Sequence, residues 1–197
     1  VRQVPVPSLE LVTSGPDETR AFASALAPLL LAGDVVALSG DLGAGKTCFV
    51  QGAVRGLGVE ARVTSPTFVL MRQYEGRLPI VHCDVYRLDR LQDVHDLGDD
   101  VLAPDVVTFL EWADAVRPLL PDDRLEIDLS IPAVTTNEDV EVVDDEDRRT
   151  ATVRGFGPRW TERADALTDS LRPWLTSPAA AAEPGPRPRP DPEPEDR

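Results

Sequence analysis

The chain has 197 residues, 42% of them hydrophobic and 28% charged, and its 35 Asp plus Glu outweigh 20 Lys plus Arg to give a formal net charge of −15. That composition closes one core of ordinary domain size, and it excludes a coiled coil and a chain disordered throughout. A chain this acidic repels a phosphate backbone unless its arginines gather on one face, and no basic cluster shows in the sequence, so direct nucleic-acid binding is disfavoured.

In chain order, Leu9 to Thr13 reads as a short strand, and Ser14 with Asp17 three residues later marks a helix start, with Pro16 tolerated in the first turn. Phe22, Leu26, Leu29 and Leu30 keep helical spacing until Gly33. The apolar stretch Ala25 to Ala32 is broken by Pro28 and stopped at Asp34, too short for a membrane span. Asp17 and Glu18 precede it where a secretory leader carries positive charge, so a cytoplasmic location is expected. Val1 stands where Met is usual, as an alternative start codon read literally would leave it. Val35 to Ser39 is a buried strand by its β-branched content, and a glycine loop and a helix from about Lys46 to Leu57 follow. Strands at Thr67 to Gln73 and Leu78 to Val85 flank the turn-like Glu75-Gly76. A short helix near Arg90 to Leu97, a strand at Val106 to Leu110 and a helix at Ala113 to Leu120 come next.

Two strand-like runs, Arg124 to Ile131 and Thr150 to Gly155, enclose the polar insert Asn137 to Arg149, which carries seven acids and two Arg. They are expected to form an antiparallel hairpin with a long solvated loop. Arg159 to Leu175 reads as a closing amphipathic helix with Trp160, Ala164, Leu167 and Leu171 inward. Ser177 to Arg197 holds 7 of the 19 prolines and almost no large apolar side chain, so it is expected to be a disordered tail behind one domain spanning 1–176. The alternation of strands and helices predicts an α/β fold with a central, mostly parallel sheet.

Cys48 and Cys83 form no CxxC pattern, and His82 and His95 add little metal-ligand capacity, so both cysteines read as small buried hydrophobes. The basic residues are more telling, because Lys46 is the single lysine among 19 arginines. A genome bias toward Arg explains the 19 but not the exception. A compact ammonium on a thin stem survives where a broad guanidinium does not fit. Lys46 lies in Gly40-Asp41-Leu42-Gly43-Ala44-Gly45-Lys46-Thr47, a full G-x-x-x-x-G-K-[ST] pattern between a predicted strand and a predicted helix. Chance alone produces that pattern in about one chain of this length in a hundred.

The pattern has a physical purpose. Glycines let successive N–H groups converge on one anion, and the helix that follows adds its positive end. Lys46 would reach the β- and γ-phosphates of a nucleotide and Thr47 would take one position on Mg²⁺, with Cys48 completing the binding run. The net charge of −15 is no obstacle. A contact near 4 Å is worth about 4 kcal/mol at an effective dielectric near 20, while exposed acids beyond roughly 8 Å are screened at physiological salt. Phosphoryl chemistry also needs a carboxylate, and two predicted strand ends offer one, Glu111 after Val106 to Leu110 and Asp84 after Pro79 to Cys83. The loop Val63-Thr64-Ser65-Pro66-Thr67-Phe68 reads either as a Pro-containing connection or as a switch whose hydroxyls sense a γ-phosphate.

Taken together, the Glu18-Thr19 helix, the glycine loop, Ser65-Pro66-Thr67-Phe68, His82-x-Asp84-x-Tyr86-Arg87 and Glu111-Trp112 resemble, in order and spacing, the bacterial TsaE family of tRNA threonylcarbamoyladenosine biosynthesis proteins, formerly YjeE. The resemblance covers roughly Leu9 to Leu175, and the acidic insert and proline tail depart from the family's compact pattern. It implies a P-loop NTPase-like three-layer sandwich that binds ATP and Mg²⁺ and works with the TsaD and TsaB proteins, with tRNA met only through the complex and no membrane involved. It implies that Lys46 contacts phosphate, that Thr47 and Glu111 hold Mg²⁺, and that Asp84 orients or activates the hydrolytic water. Thr64, Ser65 and Thr67 would form the switch, with Tyr86 and Arg87 near the site or a partner surface.

The expected activity is ATP hydrolysis, weak without partners, that supports turnover of the assembly. Two alternatives stand beside it: a small-molecule kinase, which needs an acceptor pocket and an Arg-bearing lid, and a nucleotide-gated binding module with negligible hydrolysis. Guanine recognition through N-K-x-D is excluded because there is no second lysine.

Overall fold

The computed structural model of the protein describes residues 8–86, 101–132 and 147–176. The helix expected near Arg90 to Leu97, the tail, and residues 137–146 of the acidic insert lie outside them. Within them the chain runs through β1 (Leu9–Thr13), α1 (Pro16–Leu26), β2 (Val35–Ser39), α2 (Lys46–Gly56), β3 (Met71–Glu75), β4 (Pro79–Asp84), β5 (Val107–Glu111), β6 (Arg124–Ser130), β7 (Arg149–Phe156), α3 (Pro158–Glu162) and α4 (Ala164–Leu171). All strands join one seven-stranded sheet in the order β1-β7-β6-β2-β5-β4-β3.

The sheet is mixed rather than mostly parallel. Its three parallel pairings tie together the middle strands β6, β2, β5 and β4, and the three outer pairings are antiparallel. The reason is connection length. β3 and β4 are joined by a tight turn that sets Glu75 opposite Pro79, and a tight turn can only reverse the chain. β6 and β7 pair as the expected hairpin, and β1 extends the sheet antiparallel beyond β7.

β2 and β5 carry unbroken runs of buried residues, as parallel strands covered on both faces require. Alternate residues divide the core. Val36, Leu38, Ile80, Phe109 and Ile127 pack against Phe22 of α1 and Phe49 and Val50 of α2. On the opposite face Ala37, Val81, Cys83 and Leu110 pack against Val101, Ala113 and Val116. The α1–α2 contact is backbone-close. A Cβ on Gly52 would lie 2.2 Å from the carbonyl oxygen of Arg20, so no other residue fits at that crossing. No helix among the described residues is long and apolar enough to cross a membrane.

Several element ends differ from the sequence expectation, each for a local reason. No side chain caps α1; Glu18 instead accepts the Ser14 N–H at 2.7 Å. The helix stops at Leu26 because Pro28 has no N–H to continue it, and Ala27–Leu29 tightens into a 3₁₀ turn. Ala113–Leu119 is 3₁₀, kinked at Val116 with Pro118 inside it. β3 begins only at Met71, because the N–H groups of Val69 and Leu70 both turn back to the Pro66 carbonyl, at 2.8 and 2.6 Å, with Leu70 left-handed at φ 65°. The closing helix is broken into α3, α4 and a 3₁₀ turn at Arg172–Trp174, although Trp160, Leu167 and Leu171 are buried as expected.

The break at Arg163 serves an ion pair. Asp34, 2% exposed, holds Arg163 in a two-pronged contact at 2.6 and 2.9 Å, accepts the Leu31 N–H at 2.9 Å, and lies 3.4 Å from Arg159. Arg163 also donates to the Leu29 carbonyl at 2.7 Å and stacks over Trp160, tying the closing helices to the turn that launches β2. Arg163→Ala leaves a buried carboxylate short of its main partner and is expected to cost about 3 kcal/mol, read as a lower midpoint in urea unfolding. An unchanged midpoint would show that Arg159 and water suffice.

Candidate functional site

The strand β2 ends at Ser39 and α2 starts at Lys46, so the glycine loop sits at the carboxyl edge of the sheet, beside the ends of β4 and β5. Gly40 takes φ +130°, and a Cβ there would come within 2.1 Å of the Leu129 carbonyl oxygen, so only bare backbone lets the loop turn against β6. No side chain caps α2, which leaves its first-turn N–H groups facing the loop. Arg149, at the start of β7, donates to the Gly43 carbonyl at 3.4 Å.

The lone lysine folds back over the loop. Its Nζ donates to the carbonyls of Gly40 at 2.5 Å and Asp41 at 2.9 Å, and lies 3.6 Å from the ring centre of Trp112. Burial lowers the Lys46 pKa, and the negative charges of Glu111, Asp84, Asp114 and Asp41 pull it back up. Trp112 is left-handed at φ 63°, directly after β5, and its ring packs against that of Tyr86 with centres 4.7 Å apart and planes tilted by 41°.

The parallel register sets Asp84 beside Glu111 at the ends of β4 and β5. Thr47 Oγ1 donates to Glu111 Oε2 at 2.9 Å, and His82 Nε2 lies 2.8 Å from Glu111 Oε1. Asp84 is engaged elsewhere: its Oδ2 accepts the hydroxyls of Ser65, at 3.1 Å, and of Thr67, and its Oδ1 accepts the Tyr86 N–H at 3.0 Å. The two hydroxyl oxygens lie 2.5 Å apart, and with each spending its single proton on Asp84 the 65–67 segment is latched onto that carboxylate.

These groups surround an open cleft of about 340 Å³, lined by Leu42, Gly43, Gly45, Lys46, Thr47, Cys48, Ser65, Thr67, Asp84, Tyr86, Glu111 and Trp112. The three predicted catalytic residues Lys46, Asp84 and Glu111 therefore meet in one place. Gly40, Asp41, Ala44 and Thr64 stay outside the lining. Arg87 lies outside the described residues. Two participants escaped the sequence reading as site residues, His82 and Trp112. Both had a signal: His82 lies two residues before Asp84 on one strand and so on the same face, and Trp112 adjoins Glu111.

The donor set suits a nucleotide with a magnesium ion. The Thr47 hydroxyl and the Glu111 carboxylate are hard oxygen ligands side by side, the glycine backbone and the uncapped helix favour phosphate, and Lys46 supplies the one ammonium. The cysteines behave differently from such groups. Burial pushes the Cys83 thiol up to about 12, and it raises that of half-buried Cys48 as well. At about pH 8, iodoacetamide is expected to label native Cys48 slowly and Cys83 far more slowly still, because the thiolate is the reactive form. Equal labelling by peptide mapping would contradict this burial.

The family model described as "Threonylcarbamoyl adenosine biosynthesis protein TsaE" matches residues 13–138. Among proteins named tRNA threonylcarbamoyladenosine biosynthesis protein TsaE, that of Bacillus subtilis is 44% identical over 117 residues, covering 58% of this chain and 73% of the relative. That of Treponema pallidum is 40% identical over 126 residues, covering 64% and 93%. That of Streptomyces coelicolor is 42% identical over 139 residues, covering 68% and 88%. A crystal structure of Bacillus subtilis YdiB superposes with a TM-score of 0.63 at 32% identity, covering 85% of this chain and 96% of that one. With the family model matching well over half its length and these relatives matched across most of theirs, the chain belongs to the TsaE family of threonylcarbamoyl adenosine biosynthesis proteins.

Proposed function

We propose that this protein is a P-loop ATPase subunit required for threonylcarbamoyladenosine modification of tRNA, and that it acts with the TsaD and TsaB proteins, its ATP binding and hydrolysis supporting turnover of their complex. The observation that carries the reading is the convergence of Lys46, Thr47, Glu111 and Asp84 on one cleft at the carboxyl edge of the parallel strands. The relatives' names supply the pathway. The reading takes residues 1–176 as one ATPase domain of the three-layer P-loop kind and tRNA as met only through the partner subunits, in keeping with the net charge of −15.

Each residue's work follows from its chemistry. The loop amides and the α2 N-terminus bind the phosphates, and Lys46, released from the Gly40 and Asp41 carbonyls, neutralises the β- and γ-phosphates. Thr47 and Glu111 would hold Mg²⁺, which when bound spreads and neutralises the charge that develops on the transferred phosphoryl group. Asp84 orients or activates the attacking water once the Ser65 and Thr67 hydroxyls let go of its Oδ2. While that latch is shut the carboxylate is spoken for, which fits the expectation of weak hydrolysis without partners. The same observation favours a second reading, a nucleotide-gated binding module with negligible hydrolysis.

Nucleotide binding draws the Lys46 ammonium off the Trp112 ring, so Trp112 emission should change on titration with Mg²⁺ and ATP, and Lys46→Ala should abolish both the change and ATP turnover while leaving the melting curve intact. Unchanged turnover in that variant would refute the phosphate site. Glu111→Ala and Asp84→Ala should lower kcat about 100-fold or more with a smaller effect on ATP affinity, because they act at the metal and the water. The decisive assay is ATP hydrolysis with and without TsaD and TsaB. Stimulation supports the complex-bound ATPase, hydrolysis that stays negligible in the complex supports the gated module, and normal rates in both carboxylate variants would reject their assignment.

A further inference from the structure

We propose that His82 is a positioning residue that holds Glu111 in register with Thr47, an inference that rests on the reading of Glu111 as a magnesium-holding carboxylate. His82 is 0% exposed and lies outside the cleft lining, and Glu111, 2% exposed, is part of that lining. The pleat explains the meeting. His82 stands opposite Phe109 and Asp84 opposite Glu111 in the parallel β4–β5 ladder, so all four side chains share one face and the imidazole reaches diagonally forward to the carboxylate.

The two oxygens of Glu111 are thereby divided. Oε1 takes the imidazole at 2.8 Å from below and Oε2 takes the Thr47 hydroxyl at 2.9 Å from the loop side. The terminal torsion of a Glu carboxylate is broad and turns freely when one oxygen alone is held. With Oε1 fixed, Oε2 can face only Thr47, the residue with which it would share the metal. A carboxylate only accepts, so the imidazole must carry its proton on Nε2. His82 Nδ1 is buried with no hydrogen-bond partner among the described residues, so the neutral Nε2–H tautomer is the one that strands no N–H. An apolar side chain of the same size would fill the space without burying a polar atom that has no partner. What the histidine adds is the N–H to Glu111.

Outer hydrogen bonds of this type typically change metal affinity or activity about 10–100-fold when removed. The full chain is compared with His82→Gln, whose amide keeps a donor near the Nε2 position, and His82→Leu, which fills the space without one. Calorimetry measures affinity for a non-hydrolysable ATP analogue with and without Mg²⁺. Metal-free affinity should stay within about twofold in both variants, while the gain in affinity on adding Mg²⁺ should fall about 10–100-fold in His82→Leu and largely return in His82→Gln. A full Mg²⁺ gain in a folded His82→Leu overturns the proposal, as does a His82→Gln protein that is folded yet as impaired as the leucine variant, since that pattern marks packing alone.

Glu111→Gln separates this inference from the reading beneath it. If the Mg²⁺ gain survives in Glu111→Gln, the metal role of Glu111 fails and the inference falls with it. If the gain is lost there but kept in His82→Leu, only the positioning role fails. Should the His82 variants not fold, long-range ¹H–¹⁵N spectra of the nucleotide-free wild type decide, with His95→Gln assigning the signals of the two histidines. A proton on Nε2 supports the proposal and a proton on Nδ1 rejects it.

Discussion

The parallel ladder β2–β5–β4 is the constraint from which the site follows. Parallel strands finish at the same edge, so the ladder delivers the start of the glycine loop, Glu111 and Asp84 to one rim without any loop having to reach for another. The Thr47–Glu111 hydrogen bond spans the ladder's end and joins the start of α2 to the end of β5. The apolar residues on both faces stiffen that edge, because a one-residue slip in β5 would exchange Phe109 and Leu110 between the two cores and carry Glu111 away from Thr47.

The antiparallel strands at the sheet's margins do other work. The β6–β7 hairpin lets the Leu129 carbonyl press against Gly40 and sets Arg149 at Gly43, so the glycine loop is braced from the side opposite the carboxylates. The Asp34–Arg163 pair fixes the closing helices to the turn before β2. Stability and site precision thus converge on β2, which carries the loop at one end and the ion pair at the other.

The sequence made most of the residues that line the cleft legible and the wiring between them much less so. Gly40 to Thr47 could be read because Gly40, Gly43 and Gly45 take positive φ and Lys46 and Thr47 carry the polar contacts, demands that few residue types satisfy. Asp84 and Glu111 could be read because each ends an apolar run. What stayed hidden were contacts between distant segments: the diagonal step from His82 to Glu111, the stacking of Lys46 on Trp112, and the hold of Ser65 and Thr67 on Asp84. Those depend on strand order and register, which local patterns do not encode. The element ends that differ were decided by single residues in tertiary context. Pro28 and Pro118 withhold an N–H, and Arg163 turns inward to a carboxylate more than a hundred positions away.

The folded-back lysine sets a threshold on what the cleft accepts. Its ammonium is already satisfied by two carbonyls and an indole face, so an incoming anion must outbid three standing contacts. A small inorganic ion offers a single point of attraction, whereas a chain of phosphates can grip the loop amides and the helix end at once and lure the cation away with its far tip. On the proposed nucleotide reading, polyphosphate length thereby becomes a selection criterion, because Lys46 presents a lone anion with a cation already partnered.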